Sequence, residues 1–304
     1  MKSIKTRIFI FCIILLAGCG VASADTGKDM EELRLSPEMS AVPLDERESL
    51  LKILNDAVKA GVPSTDIALI VKRGLARGWE SKSIKESVLL LTKTEQQGLP
   101  LTSLLDRFHQ GQAKGVPFER VSASANKLTE KLSAADGMVG SLMRGGMKEG
   151  KGDEKGKTIQ TVARAMERSV PDAAVMQIGA KLMKSNSPLS KLDAAVSTMT
   201  NAIEMGMQPA QASKMMNMAI DKGYSETDMM MMEREMFSMM RDGATMNDVM
   251  RNMETMMNSG GMGFSGSGMG GGAMIHNGTG MSGSPGMTHG GSGMGGGGGG
   301  MHGR

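Results

Sequence analysis

Three of the four histidines in this 304-residue chain, His276, His289 and His302, recur at intervals of 13 residues, each within two residues of a methionine. Around them Met262, Met269, Met274, Met281, Met287, Met294 and Met301 recur every five to seven residues. Thioether and imidazole groups are soft to borderline ligands that suit Cu(I) or Ag(I). The candidate metal ligands are therefore Met274, His276, Met287, His289, Met301 and His302. Zn²⁺ fits less well, because these histidines lack close pair spacing and no cysteine supports them. The bland alternative is a low-complexity tail that binds nothing.

Elsewhere the residue types that carry chemistry are sparse. His109 is the one remaining histidine, beside Asp106, Arg107 and Gln110, where a lone imidazole is an exposed or hydrogen-bonded side chain more often than a catalyst. Gly266, Gly268 and Gly271 satisfy a GxGxxG spacing, but neither a strand before them nor a helix after them is expected, so the dinucleotide-binding context is missing. No nucleophile and base pair stands out, nor do paired acids outside ordinary charged helix faces. The expectation is a protein that is not an enzyme, with no catalytic residue and no cofactor beyond the Cu(I) or Ag(I) alternative.

Both cysteines, Cys12 and Cys19, lie near the amino terminus. Lys2, Lys5 and Arg7 precede the apolar run from Ile8 to Leu16, which is too short to span a bilayer as a mature helix and has the layout of an export signal over residues 1–18. The run ends in Leu16-Ala17-Gly18-Cys19, which resembles the lipobox of bacterial lipoproteins. That resemblance implies cleavage before Cys19 and acylation of its thiol, hence tethering rather than spanning. Gly20 stands where an Asp would resemble an inner-membrane retention signal, so in a two-membrane bacterium the resemblance implies the outer membrane, facing the periplasm. The alternative is cleavage after Ala22-Ser23-Ala24, which would release a soluble periplasmic or secreted chain. The Met/His-rich tail is likewise similar to segments of bacterial copper and silver handling proteins.

The formal charge of +3 is carried by Lys2, Lys5 and Arg7, so the chain from Cys19 onward is formally neutral. With only eight aromatic residues as well, it lacks both the basic stripe and the stacking platforms of a nucleic-acid binder. The expected partners are a membrane, through the lipid anchor, and an unidentified protein.

What must position these residues is helical. From about 45 to 258 the apolar residues follow helical spacing, as in Ile67, Ile70, Val71 and Leu75, or Leu192, Ala195, Val196, Met199 and Ile203. Short helices are separated by a recurring turn, clearest as Gly61-Val62-Pro63, Gly98-Leu99-Pro100, Gly115-Val116-Pro117 and Gly223-Tyr224-Ser225, in which glycine caps one helix and Pro or Ser opens the next. Trp79 falls in the apolar slot of such a turn, and Ser225 with Asp228 and Thr245 with Asp248 have capping-box spacing. The first core residues after the turns, Ile67, Ile84, Leu104 and Val121, are spaced 17, 20 and 17; Val175, Leu192, Ala212, Met229 and Val249 are spaced 17, 20, 17 and 20. The fold class is therefore all-α, built of helix pairs that repeat every 37 residues or so, and it resembles the α-solenoid class without matching a named repeat.

The expected organisation is a tether over 19–44, a first repeat lobe over 45–136, a Gly-rich and charged linker over 137–157, a Met-rich second lobe over 158–258 and a disordered tail over 259–304. The 54 residues between Val121 and Val175 also leave room for further helices that would make one continuous array. Methionine is absent from 40 to 137 yet occurs 21 times between 166 and 257, including Met229-Met230-Met231-Met232. The expectation is that Met fills the core in place of Leu and Ile, while Met230, Met231 and Met239 exceed what one helix face can bury. Function follows as an expectation only: a binding or scaffolding surface formed by the repeats. Its alternatives are soft-metal buffering by the tail or a reversible methionine sink for oxidants.

Overall fold

The computed structural model describes residues 23–150 and 152–259, so Cys19 and the tail beyond Ser259 lie outside the described residues. Those described are all-α, with no strand among them. In chain order the helices are α1 (Ser23–Arg34), α2 (Pro37–Ser40), α3 (Leu44–Lys59), α4 (Ser64–Ala76), α5 (Ser81–Gln96), α6 (Thr102–Ala113) and α7 (Phe118–Arg144). They continue with α8 (Glu154–Glu167), α9 (Asp172–Lys184), α10 (Leu189–Glu204), α11 (Pro209–Asp221), α12 (Glu226–Arg241) and α13 (Met246–Asn258).

One turn builds the array. After every helix from α3 to α12 the chain makes the same pair of backbone bonds: Gly61 N–H to Val58 O and Val62 N–H to Ala57 O close α3, and Gly243 N–H to Met240 O with Ala244 N–H to Met239 O close α12. This is the Schellman geometry, which satisfies the last carbonyls of the helix and needs one residue with positive φ. Glycine supplies it at most of these ends, but Ser169 (φ 62°) and Asn186 (φ 51°) adopt it without being glycine. The next residue then drops into the core, as Val62, Trp79, Leu99, Met147, Val170, Met207 and Tyr224 do. Trp79 meets Phe118 edge-on, with ring centroids 5.2 Å apart. The two capping boxes form, Ser225 and Thr245 each exchanging bonds with an Asp three residues on.

Each anchor of the 37-residue register is buried: Ile67, Ile84, Leu104, Val121, Val175, Leu192, Ala212, Met229 and Val249. Helices pack on the helix two places further along, α3 on α5, α4 on α6, α8 on α10, α9 on α11 and α10 on α12, and some, such as α4 with α5 and α9 with α10, on their successor as well. Ion pairs echo that pitch, joining Glu32 to Lys72, Arg164 to Glu204, Lys181 to Asp221 and Lys214 to Glu254, residues 40 apart in each case. Being largely exposed and screened by solvent, these pairs register the helices more than they hold them.

The linker expected over 137–157 is reduced to the connection between Arg144 and Glu154. Residues 137–144 continue α7, and α8 begins at Glu154. Leu128, Leu132, Ala135, Val139 and Leu142 carry a buried stripe through this stretch, and an isolated glycine inside a helix costs only about 1 kcal/mol. Helix α7 packs against α5 and α6 on one side and α8 and α9 on the other, so the two lobes share one core that runs from Leu33 to Met257. The tether expected over 19–44 also differs from what forms: α1 and α2 lie against α4 and bury Leu33, Met39 and Val42. The Ser36-Pro37 break, where Ser36 caps α2, interrupts the periodicity that would have marked these helices.

Methionine is core material where expected. Met199, Met215, Met216, Met229, Met232, Met236 and Met253 are buried, while Met231 and Met239 are half-buried and Met230 is 49% exposed.

Two glycines separate close packing from helix propensity. A Cβ on Gly111 would lie 2.5 Å from Val121 Cγ2 and 3.0 Å from its Cγ1, on a stiff β-branched side chain, whereas one on Gly137 would meet nothing within 4 Å. Gly111→Ala is expected to destabilise by about 1–3 kcal/mol and Gly137→Ala to stabilise by about 0.5–1 kcal/mol in urea unfolding. A flexible linker at 137 would leave the second change neutral.

Candidate functional site

Chemistry-bearing side chains in the described region converge at two places. The first is His109 on α6, whose Nε2 lies 3.0 Å from Asp66 Oδ1 on α4, in a depression also lined by Glu95, Thr102 and Asp106. Nearby, Gln112 Nε2 donates to Ile70 O at 2.6 Å, so α6 is tied twice to α4. A Cβ on Gly74 would crowd that amide at 3.3 Å. Among the described residues no group of three or more His, Cys, Asp or Glu is arranged to hold a metal ion. His109 serves here as an inter-repeat contact.

The second place is a groove along α8, α10 and α12. Its floor is α10, where Ser190, Ala194, Ser197 and Asn201 follow one another at helical spacing, and its walls are α8 and α12. Two adjoining cavities make it up, of about 330 Å³ and about 520 Å³, sharing Glu233. Small side chains on the floor between bulkier ridges are what make the surface concave.

The groove is electrically polarised along its length. The smaller cavity lies at the helix N-termini and is lined by Glu154, Asp193, Glu226 and Glu233 against Lys157 alone. Asp193 Oδ1 is buried there without a hydrogen-bond partner. The larger cavity lies at the C-termini and carries Arg164, Arg234 and Arg241 against Glu204 and Glu233. Between these ends stand two of the large apolar side chains the fold leaves exposed, Met230 and Phe237, at 49% and 61%. Seven residues apart, they lie on the same face of α12.

Both ends are held in place. Ser190 Oγ donates to Glu226 Oε1 at 2.7 Å and joins α10 to α12, while buried Thr198 Oγ1 donates to Met229 O at 3.3 Å. At the other end Arg164 makes a two-pronged bond to Glu204 at 2.9 and 3.0 Å and a further one to Asn201 Oδ1. Arg168 reaches Glu204 as well, at 2.9 Å. Burial works against ionisation of Glu204, but the bonds and positive charges of Arg164 and Arg168 outweigh it and hold the carboxyl below its ordinary value of 4.5.

Of the sequence-derived site residues, Cys19, Met274, His276, Met287, His289, Met301 and His302 all lie outside the described residues. The groove was not among those candidates. Its sequence signal is the pair Met230 and Phe237 flanked by Glu226, Glu233, Arg234 and Arg241, but in a helix this rich in methionine the exposed stripe cannot be told from the buried one without the packing. No helix of the described region is long and apolar enough to cross a membrane. The chain matches no family model, no curated protein and no solved structure.

Glu204 sets an acid dependence. Because its folded pKa is depressed, the unfolded chain takes up the proton first as pH falls below 4.5, so the stability it contributes is present above that value and is lost as pH drops through the folded one. Thermal unfolding from roughly pH 6 to pH 3 is expected to show Glu204→Gln less stable than the native chain at the upper end, with the gap closing toward the lower. A constant gap would mean that charge at Glu204 contributes nothing.

Proposed function

We propose that this protein is a non-enzymatic, lipid-anchored component of the bacterial envelope whose helical repeats present a binding or scaffolding surface, and that the surface is the α8–α10–α12 groove. The observation that carries the binding half of this proposal is the polarised, concave face with Met230 and Phe237 exposed between opposite charges. Isolated apolar residues on a surface are ordinary, but a pair at helical spacing on the wall of a groove is the arrangement that an apolar ligand face covers.

The anchor half rests on Leu16-Ala17-Gly18-Cys19. With α1 beginning at Ser23, acylation of Cys19 would leave Cys19 to Ala22 as the leash, a span of at most about 14 Å. The array would then stand close to the lipid surface rather than on a long stalk. Leu35 and Leu44, 73% and 67% exposed, flank α2 in the part of the array nearest the anchor in sequence, where lipid contact would suit them.

Two measurements test this. Labelling cells with a fatty-acid analogue is expected to tag the native chain and not Cys19→Ala; an unlabelled native chain would instead support release after Ala24. Replacing Phe237 with a photo-crosslinking phenylalanine derivative is expected to give an adduct in cells, and the same replacement at Glu130, exposed on α7 and not part of the groove lining, is expected to give none. Equal yields at the two positions would remove the groove from the proposal.

A further inference from the structure

The face of α12 that lines the groove carries six large side chains, exposed Met230, Arg234, Phe237 and Arg241 and half-buried Glu226 and Glu233, with small Ser238 at its edge. At 100° per residue these six fall within a band of about 100° on the helix surface, so they form one face. The order of their chemistry along the chain is acid, apolar, acid, base, apolar, base. Reversed, that order becomes base, apolar, base, acid, apolar, acid, which is its electrostatic complement.

The spacing is as symmetric as the chemistry. Glu226 and Arg241 lie equally far from the midpoint between Glu233 and Arg234, and so do Met230 and Phe237. An antiparallel second copy of α12, related by a two-fold axis through that midpoint, places Glu226 opposite Arg241, Met230 opposite Phe237 and Glu233 opposite Arg234. Each pairing then occurs twice, as a self-complementary patch requires. The rest of the groove agrees with this arrangement. The partner's Arg234 and Arg241 would run toward the cavity of Glu154, Asp193 and Glu226, where Asp193 Oδ1 lacks a hydrogen-bond partner. The partner's Glu226 would run toward Arg164 and Arg241.

We infer that the occupant of the α8–α10–α12 groove is a second copy of this chain, docked through antiparallel α12 helices. This rests on the groove being a binding surface at all, and it identifies the partner. The span from Glu226 to Arg241 is about 22 Å along the helix axis, about four turns, so the contact extends along most of α12. Opposite charges at both ends fix the direction of the two helices, since a parallel arrangement would set Glu226 against Glu226 and Arg241 against Arg241.

Sedimentation velocity of the full mature chain, in detergent where it carries lipid, reads the outcome. The native protein is expected to form a dimer as its concentration rises toward about 100 μM. Glu233→Arg alone and Arg234→Glu alone are each expected to weaken the dimer by at least about tenfold, because each sets like charges across the axis twice. The double variant, Glu233→Arg with Arg234→Glu, restores opposite pairs and is expected to recover the dimer to within about threefold of the native chain. These sites are on the surface, and a circular dichroism melt of each variant confirms that the fold is retained.

A native chain that is monomeric throughout while Phe237 still crosslinks to a different protein would overturn self-association and leave the binding surface standing. A monomer without crosslinks would overturn both. A dimer indifferent to all three variants would move the contact away from α12.

Discussion

The fold depends on one backbone constraint, the left-handed residue that ends each helix and delivers the following side chain into the core. Its two hydrogen bonds cap a helix that would otherwise expose its last carbonyls, and the buried residue that follows fixes how the next helix departs. Repeating it after every helix from α3 to α12 leaves the helices little choice but to stack. Burial of the anchor residues supplies the cohesion, while direction comes from the turns.

Such a stack must end without inviting another repeat, and the C-terminal pair is edited accordingly. One repeat after buried Thr198 stands exposed Glu235, and one repeat after buried Met215 stands exposed Asn252. Polar residues at positions that would otherwise be core make this end a cap. At the other end α1 and α2 cover α4 and bury Leu33 and Met39. The apolar side chains left in the open on α12, Met230 and Phe237, line the groove.

Much of the fold was legible in the residues themselves. Anchor spacing of 17 and 20, glycine-led turns and the capping boxes of Ser225 and Thr245 are local features, set by a few neighbouring residues. What could not be read depended on context. Ser169 and Asn186 do the work of glycine after α8 and α9, so glycine alone does not mark every turn. Gly145, Gly146, Gly150, Gly152 and Gly156, among mixed charges, suggest a linker longer than the one that forms, because glycine content does not reveal the stripe of Leu132, Ala135, Val139 and Leu142 that carries α7 through to Arg144. The groove was harder still: Met229, Met232 and Met236 face inward while Met230 faces out, and only the packing of α10 against α12 separates those two stripes. The charge symmetry of α12 becomes visible once its exposed face is known.

Continuity through α7 is the central claim, because the shared core, the register of the second half and the shape of the groove all follow from it. Hydrogen–deuterium exchange across residues 132–160 tests it most directly, since the slow-exchanging amides of a packed helix and the fast ones of a linker differ by orders of magnitude. Amides from Leu132 to Arg144 are expected to exchange as slowly as those of α5 and α10, with fast exchange confined to the connection between Arg144 and Glu154. Full exchange from Gly137 onward at the earliest times, with both flanking halves protected, would contradict it and restore two separate lobes.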